Sequence, residues 1–320
     1  MVLLVEKISH FLKNPNRMEN HHHHHNHNSE ALLASSLQGF RSDVSKILNK
    51  VLPIVESGTQ LKFHFLSLAW TQKCVDVIPL THKAFAKLVV EIDHPMNRWG
   101  TSQVEEYLDY SLNLLELLNS VTCGVSHLSH ARLCISHGLS LIEKNSDSSV
   151  DMKEIQPYDL GKEFKVERKM STVNEESHCS GKDLIIHQSL LILMSVSSWV
   201  FGVLLSGICS SVKPYMELRR SAGLFDDSLI RGWDTVLAKE IAENCGVSKE
   251  VKEINEVTTS LKAATAVANG KVDEFFIELR RRLEGLEELL QTIGKKTDGL
   301  FSEVLAERGK FLDCLQHTRR

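Results

Sequence analysis

The chain lacks the local signatures by which most enzymes declare their chemistry. It has no phosphate-cradling loop ending in Lys and Ser or Thr, no dinucleotide fingerprint, no nucleophile elbow and no His-Glu-x-x-His pair, and its glycines fall singly. No catalytic residue, cofactor site or metal site is assigned, and the sequence reads as that of a non-enzyme. Lys and Arg are dispersed within a formal charge of -4, so there is no basic stripe to neutralise phosphates in series, and nucleic acid is excluded as a partner. The seven cysteines include no Cys-x-x-Cys pair, and no Asn-x-Ser/Thr sequon occurs. Together these absences argue against a disulfide-stapled, glycosylated exterior and for free thiols in the cytoplasm or at the cytosolic face of a membrane. The opening MVLLVEKISHFLKNPNRMEN has an apolar run of only about four residues, too short for a secretory h-region, and its acids argue against a transit peptide. Its Leu3, Leu4, Ile8, Phe11 and Leu12 line one side of a short helix, a pattern equally suited to docking on the body of the protein or to an interfacial anchor.

What is present is helical periodicity in a composition that is 42% apolar and 24% charged, enough to bury a core and stay soluble. A histidine tract at 21–25 and 27, flanked by Asn, is read as a solvated spacer, because a flexible homopolymer holds no preset ligand geometry. A first helix runs from a Ser29 cap to a stop at Pro53. A second segment, 60–93, carries Val75, Ile78, His82, Phe85, Val89 and Ile92 at spacings of three and four, interrupted or kinked near Pro79. A third, 101–144, shows a stripe of Val104, Leu108, Leu115, Leu118 and Val125 thickened by Leu112, Leu114 and Leu117, wide enough to imply burial on more than one side. Residues 144–183 are polar, aperiodic and interrupted by Pro157, and read as a mobile linker without apolar anchors. The last helix repeats Phe276, Leu279, Leu283, Leu286, Leu290, Ile293, Thr297, Leu300 and Val304 in a coiled-coil-like seam that must pack along another helix. That seam is expected to pack within the chain, since a bare face of this size exceeds what monomers usually expose.

Two clusters require a decision. His127, His130, Cys134 and His137 share a helical face at spacings of three, four and three. At about 1.5 Å of rise per residue the outer two lie about 15 Å apart, so the four do not close on one zinc ion, and they read as a polar flank. The stretch SLLILMSVSSWVFGVLLSGIC belongs to a charge-free run, 184–212, long enough to cross a bilayer. Leu190, Trp199, Gly202, Ser206 and Cys209 mark this helix, and Ser198, Gly202, Ser206 and Ser210 recur every four residues, a stripe that admits close helix approach in lipid or in a soluble core. Hydropathy alone does not separate a membrane span from a central helix covered on all sides.

LSLAWTQKCVDVIPLTHKAFAKLVVEIDHPMNRWG, the leucine-rich helix after it and SSWVFGVLLSGICSSVKPYMELRRSAGLFDDSLIRGWDTV together resemble the plant BYPASS-related proteins, in particular the branch termed UPF0496 or ROH-type. The similarity spans roughly 35–317, with Trp70, His82, Pro95, Trp99, Tyr107 and Leu108 its most recognisable positions. The resemblance implies a mostly helical plant protein without known catalytic residues. It also implies a role in restraining a root-derived signal that arrests shoot growth, with vesicle-tethering factors as the association of some relatives. The expected fold is all-α, a bundle of long antiparallel helices with one very apolar central helix. Its parts are a flexible segment at 1–29, a helical region at 30–144, a mobile linker at 145–181 and a second helical region at 182–320 that packs with the first. The expected function is a helical interaction and regulatory protein with a protein partner. The alternative is a membrane-anchored adaptor held through residues 184–212.

Overall fold

The structure is a computed structural model that describes residues 26–51, 66–144, 152–161, 181–221, 228–267 and 272–318. The N-terminal apolar pattern and the histidines at 21–25 lie outside them. The described residues form an all-α bundle without a strand. In chain order the helices are α1 (Asn26–Val51), α2 (Leu68–Val75), α3 (Val77–Glu91), a 3-10 turn (Met96–Arg98), α4 (Thr101–Lys144), α5 (Gly181–Cys209), α6 (Lys213–Ser221), α7 (Ser228–Glu243), α8 (Lys249–Val267) and α9 (Val272–Thr318). Helix α1 begins three residues before Ser29, which therefore sits inside the first turn instead of capping it.

Of the two expectations for the segment around Pro79, an interruption or a kink, the structure has the interruption. Asp76 ends α2 and starts α3, which places Pro79 in the first turn of α3, where its missing N–H would have had no partner anyway. The start of α2 is satisfied from two sides. Ser67 accepts from the Trp70 amide, and the Glu250 carboxylate, reaching from α8, accepts from the amides of Leu68 at 2.8 Å and Ala69 at 3.4 Å. A helix of only eight residues gains its stability from such caps and from packing, because its own nucleation is unfavourable.

Helix α5 is the hub: α1, α2, α3, α4, α6 and α7 all pack on it. From Trp199 to Ser210 every residue is buried, so three turns of helix present no face to solvent. Where α4 crosses it, Gly124 opens a notch for Ile208, and a Cβ at 124 would stand 2.5 Å from the Ile208 Cγ2. Helix α9 lies along α4 and α8 and touches α2. Arg308 bonds the Leu108 carbonyl and, at 2.6 Å, the Ser111 hydroxyl, whereas Arg280 meets Glu143, so α4 and α9 run antiparallel. Helices α1 and α3 do the same, through Ser36 with Glu91 and Asp43 with Lys87. The pair α4 and α5 departs from the antiparallel expectation. Glu106 meets His187, Tyr110 meets Ser197 and Gly124 meets Ile208, an order that only parallel helices allow.

The stripe on α4 is buried as read at Leu114, Leu115, Leu117 and Leu118 and is displaced on either side of them. Tyr107, Tyr110, Leu114, Leu118, Val121 and Leu128 are buried, while Val104, Leu108 and Val125 flank them and Leu112 is exposed. Residues 152–161 correct the expectation of a linker without apolar anchors. Met152 and Ile155 are buried, and the Asn255 side-chain amide accepts from the Ile155 N–H at 2.8 Å and donates to its carbonyl at 3.0 Å. The Tyr158 amide then bonds the Cys209 carbonyl at the end of α5. A short polar stretch docks by satisfying its backbone, a signal that apolar periodicity does not carry.

Candidate functional site

An apolar helix has no directional interaction of its own, so what fixes α5 in place is a series of polar contacts brought to it by its neighbours. The first is at its N-terminus. Asp183, in the first turn, accepts from His94 Nε2 at 2.9 Å and from the Gly100 amide at 3.3 Å, and the Trp99 indole N–H bonds the His94 carbonyl. The turn at 93–100 is thereby tied to the helix end, where a carboxylate is favoured by the exposed N–H groups. One turn on, His187 Nδ1 lies 2.8 Å from Glu106 of α4, whose carboxylate raises the pKa of the imidazole.

The second contact is fully buried. His82 Nε2 of α3 and the Tyr110 hydroxyl of α4 share a hydrogen bond of 2.5 Å, and Ser197 of α5 stands 3.0 Å from the same hydroxyl. Burial pushes His82 down to about 4 and the Tyr110 phenol upward, so both are neutral over the ordinary pH range. With a neutral imidazole accepting from the phenol, Ser197 donates to the phenol oxygen, and all three groups are satisfied. The third contact closes the C-terminal half. Tyr215 of α6 donates to Asp234 of α7, which also accepts from Arg219 Nε at 2.8 Å, and the Ser206 hydroxyl of α5 accepts from the Tyr215 amide at 3.2 Å. Gly202 lets this happen, since a Cβ there would stand 3.1 Å from the Tyr215 ring.

Leu190, Trp199, Gly202, Ser206 and Cys209 thus all lie in the core, and Ser206 is the one among them with a polar role across a helix contact. Desolvation pushes the Cys209 thiol up to about 12, leaving it protonated and unreactive. Leu279, Leu283, Leu286, Leu290 and Ile293 are buried and Phe276 is half-buried, on the face of α9 that meets α4 and α8. Glu287, which the period places outside, reaches Arg132 of α4 with both carboxylate oxygens, at 3.1 and 3.2 Å. The α4 histidines disperse: His127 stacks on Tyr158 with ring centroids 4.6 Å apart, His130 sits 3.6 Å from the Cys134 sulfur, and His137 points to solvent. Among the described residues no three potential metal ligands converge. A groove of about 220 Å³ lies between Leu66, Glu240, Asn244 and the start of α8, below the roughly 300 to 1,000 Å³ of most small-molecule sites.

Asp183, Tyr110, Asp234 and Glu307 escaped the sequence reading. For two of them a signal existed. Ile230, Asp234, Leu237 and Ile241 share one helical phase, as do Leu300, Val304, Glu307 and Phe311, so a carboxylate stands where an apolar residue is due. Asp183 and Tyr110 find partners on elements far away in sequence, and no local pattern announces them.

Comparison with known proteins gives relatives at low identity. "Protein BPS1, chloroplastic" of Arabidopsis thaliana is 22% identical over 299 residues, 88% of this chain and 83% of its own length. "UPF0496 protein 4" of rice is 21% identical in subspecies indica and 20% in japonica, in each case over 260 residues covering 74% of this chain. The chain spans 55% of the length of those rice relatives. No family model matches the chain, and no solved structure matches it. The homologues are those of the plant BYPASS-related, UPF0496-type family that the sequence resembles, and none carries the name of an enzyme. The word chloroplastic in the Arabidopsis name does not fit the cytosolic expectation cleanly.

Proposed function

We propose, from homologues of the BYPASS-related and UPF0496 type, that this chain is a non-catalytic helical interaction and regulatory protein of plant development, and that it acts by restraining root-to-shoot signalling through a protein partner. The observation that carries the reading is the fate of the chemically capable side chains. His82, Tyr110, Tyr215 and Asp234 are each less than a tenth exposed and face one another across helix contacts, where a substrate has no access. They hold the bundle together, which leaves its outer helix faces as the means of acting on anything else. The test is genetic complementation in a plant lacking the gene. A chain carrying His82→Phe and Tyr110→Phe, shown by melting to be folded, should restore growth as well as wild type; a folded variant that fails would point to chemistry at that pair.

A membrane-anchored adaptor linked to vesicle tethering is the second reading, favoured by the length and apolarity of α5. Against it, a span would have to leave the six helices packed on it and strip partners from Asp183, Ser197 and Ser206. Release from membranes by carbonate would exclude the span. For location the reading is the cytosol or the cytosolic face of a membrane, supported by the dispersed free thiols. Recovery in purified plastids, as the Arabidopsis relative's name suggests for that protein, would replace it.

A further inference from the structure

Helix α9 buries one face and leaves the opposite one bare. Ile293, Thr297, Leu300, Val304 and Phe311 point into the bundle. At 100° per residue, Lys295, Ser302, Ala306, Gly309 and Asp313 fall within about 35° of the line opposite them and Gly299 about 50° from it, and all six are exposed. Nothing stands within 4 Å of a Cβ built at Gly299 or Gly309. Along one edge of this strip run Leu305, 52% exposed, and Leu312, 38% exposed. Two solvated leucines one heptad apart, beside a lane of small residues, form a face on which another helix can lie closely.

The charges say which helix. The strip begins with Lys295 and ends with Asp313, about 27 Å apart along the axis at 1.5 Å per residue. Neither is engaged in an ion pair among the described residues. A parallel copy would set lysine against lysine and aspartate against aspartate. An antiparallel copy reverses the order, so each Lys295 comes level with the Asp313 of the other helix. A two-fold axis near Leu305 also sets that leucine beside its own counterpart. Glu303 and Lys310, both exposed on the opposite edge, come within about 8 Å of each other along the axis across the pair. The pattern complements itself. We propose that this face of α9 docks a second copy of the chain, with the two α9 helices antiparallel about a two-fold axis level with Val304, one residue from Leu305. The inference concerns a surface distinct from the buried contacts around α5 and does not depend on the developmental role.

Sedimentation of the full chain over a wide concentration range tests it. Wild type should show a reversible monomer–dimer equilibrium that weakens with added salt, as exposed charge pairs do. Ala306→Arg, an exposed position in a good helix context, should leave the thermal melt unchanged and abolish the dimer. Lys295→Asp and Asp313→Lys should each weaken it about tenfold, the loss expected for two exposed pairs, and the two combined should restore it because the swap rebuilds both contacts. A wild type that stays monomeric at the highest concentration overturns the proposal and assigns the face to a different protein. A dimer indifferent to Ala306→Arg, or a double swap that fails to recover, overturns it equally.

Discussion

Helices α5 and α9 solve the same problem in opposite ways. Helix α5 is apolar on every side, and the contacts that fix its position are polar: Asp183 with His94, Ser197 with Tyr110, and Ser206 with the Tyr215 amide. Helix α9 is largely polar, and what fixes it is an apolar seam from Leu279 to Phe311 on one side. The difference follows from the number of neighbours. A helix surrounded by six others finds apolar surface in every direction, so the amount of area buried says little about rotation or register, and hydrogen bonds and close fits such as Gly124 with Ile208 supply it. A helix on the outside has its orientation set by which face is greasy, and it keeps the other face for solvent or for a partner.

The sharpest way to break this comparison is to remove a buried carboxylate beside α5. Asp234→Ala removes the carboxylate that the Tyr215 hydroxyl and the Arg219 guanidinium share and should cost about 3 to 5 kcal/mol in denaturant melts. A wild-type midpoint would mean that the polar contacts around α5 are incidental. The seam supplies the counterpart. Leu286→Ala removes buried methylenes between α9 and its neighbours and should cost about 2 to 5 kcal/mol, with no change in association state if the seam is internal.

Two pH experiments sharpen the contrast. Burial holds His82 at about 4, below the 6.5 of an unfolded histidine, so its contribution is present above about pH 6.5 and is lost as the pH falls toward 4, a change of about 3 kcal/mol. The melting midpoint of His82→Gln should be flatter across that window, and an equally steep profile would clear His82 of the effect. Glu307 behaves in the reverse sense. It sits in the seam at 8% exposure with Oε1 unpartnered, and desolvation raises it from 4.5 to about 7. Stability from its neutral form is present below about pH 4.5 and lost as the pH climbs through 7. Glu307→Gln should therefore stabilise the protein by about 3 kcal/mol above neutrality and by nothing in acid. The smallest effect belongs to the rim of α9. Glu287→Lys breaks the paired contact with Arg132 and should lower stability by about 1 kcal/mol, a shift measurable beside a Glu288→Lys control on the exposed side.

The all-α class, the long final helix and the burial of its seam are legible in the sequence because each rests on a period of three and four that repeats many times. What escapes is whatever depends on one residue meeting another across the fold. The parallel course of α4 and α5 follows from Tyr110 with Ser197 and Gly124 with Ile208, pairings that no local pattern encodes. The docking of 152–161 depends on Asn255, about a hundred residues later in the chain. Leu112 looks like core by composition and is exposed, because α4 is turned to place Tyr107 against Phe311 and Tyr110 against His82. Polar residues in an apolar phase, Asp234 and Glu307 among them, were visible in the sequence and were the best available markers of buried chemistry.

The antiparallel union of α4 with α9 has a consequence for synthesis on the ribosome. Lys144 and Val272 are separated by about 130 residues, roughly 6 to 26 s of translation at 5 to 20 residues per second. During that interval the side of α4 that α9 will cover, Tyr107 included, has been synthesised without the helix it will lie against. That interval is longer than helix formation or collapse takes, so α4 forms before the helix that covers its flank exists.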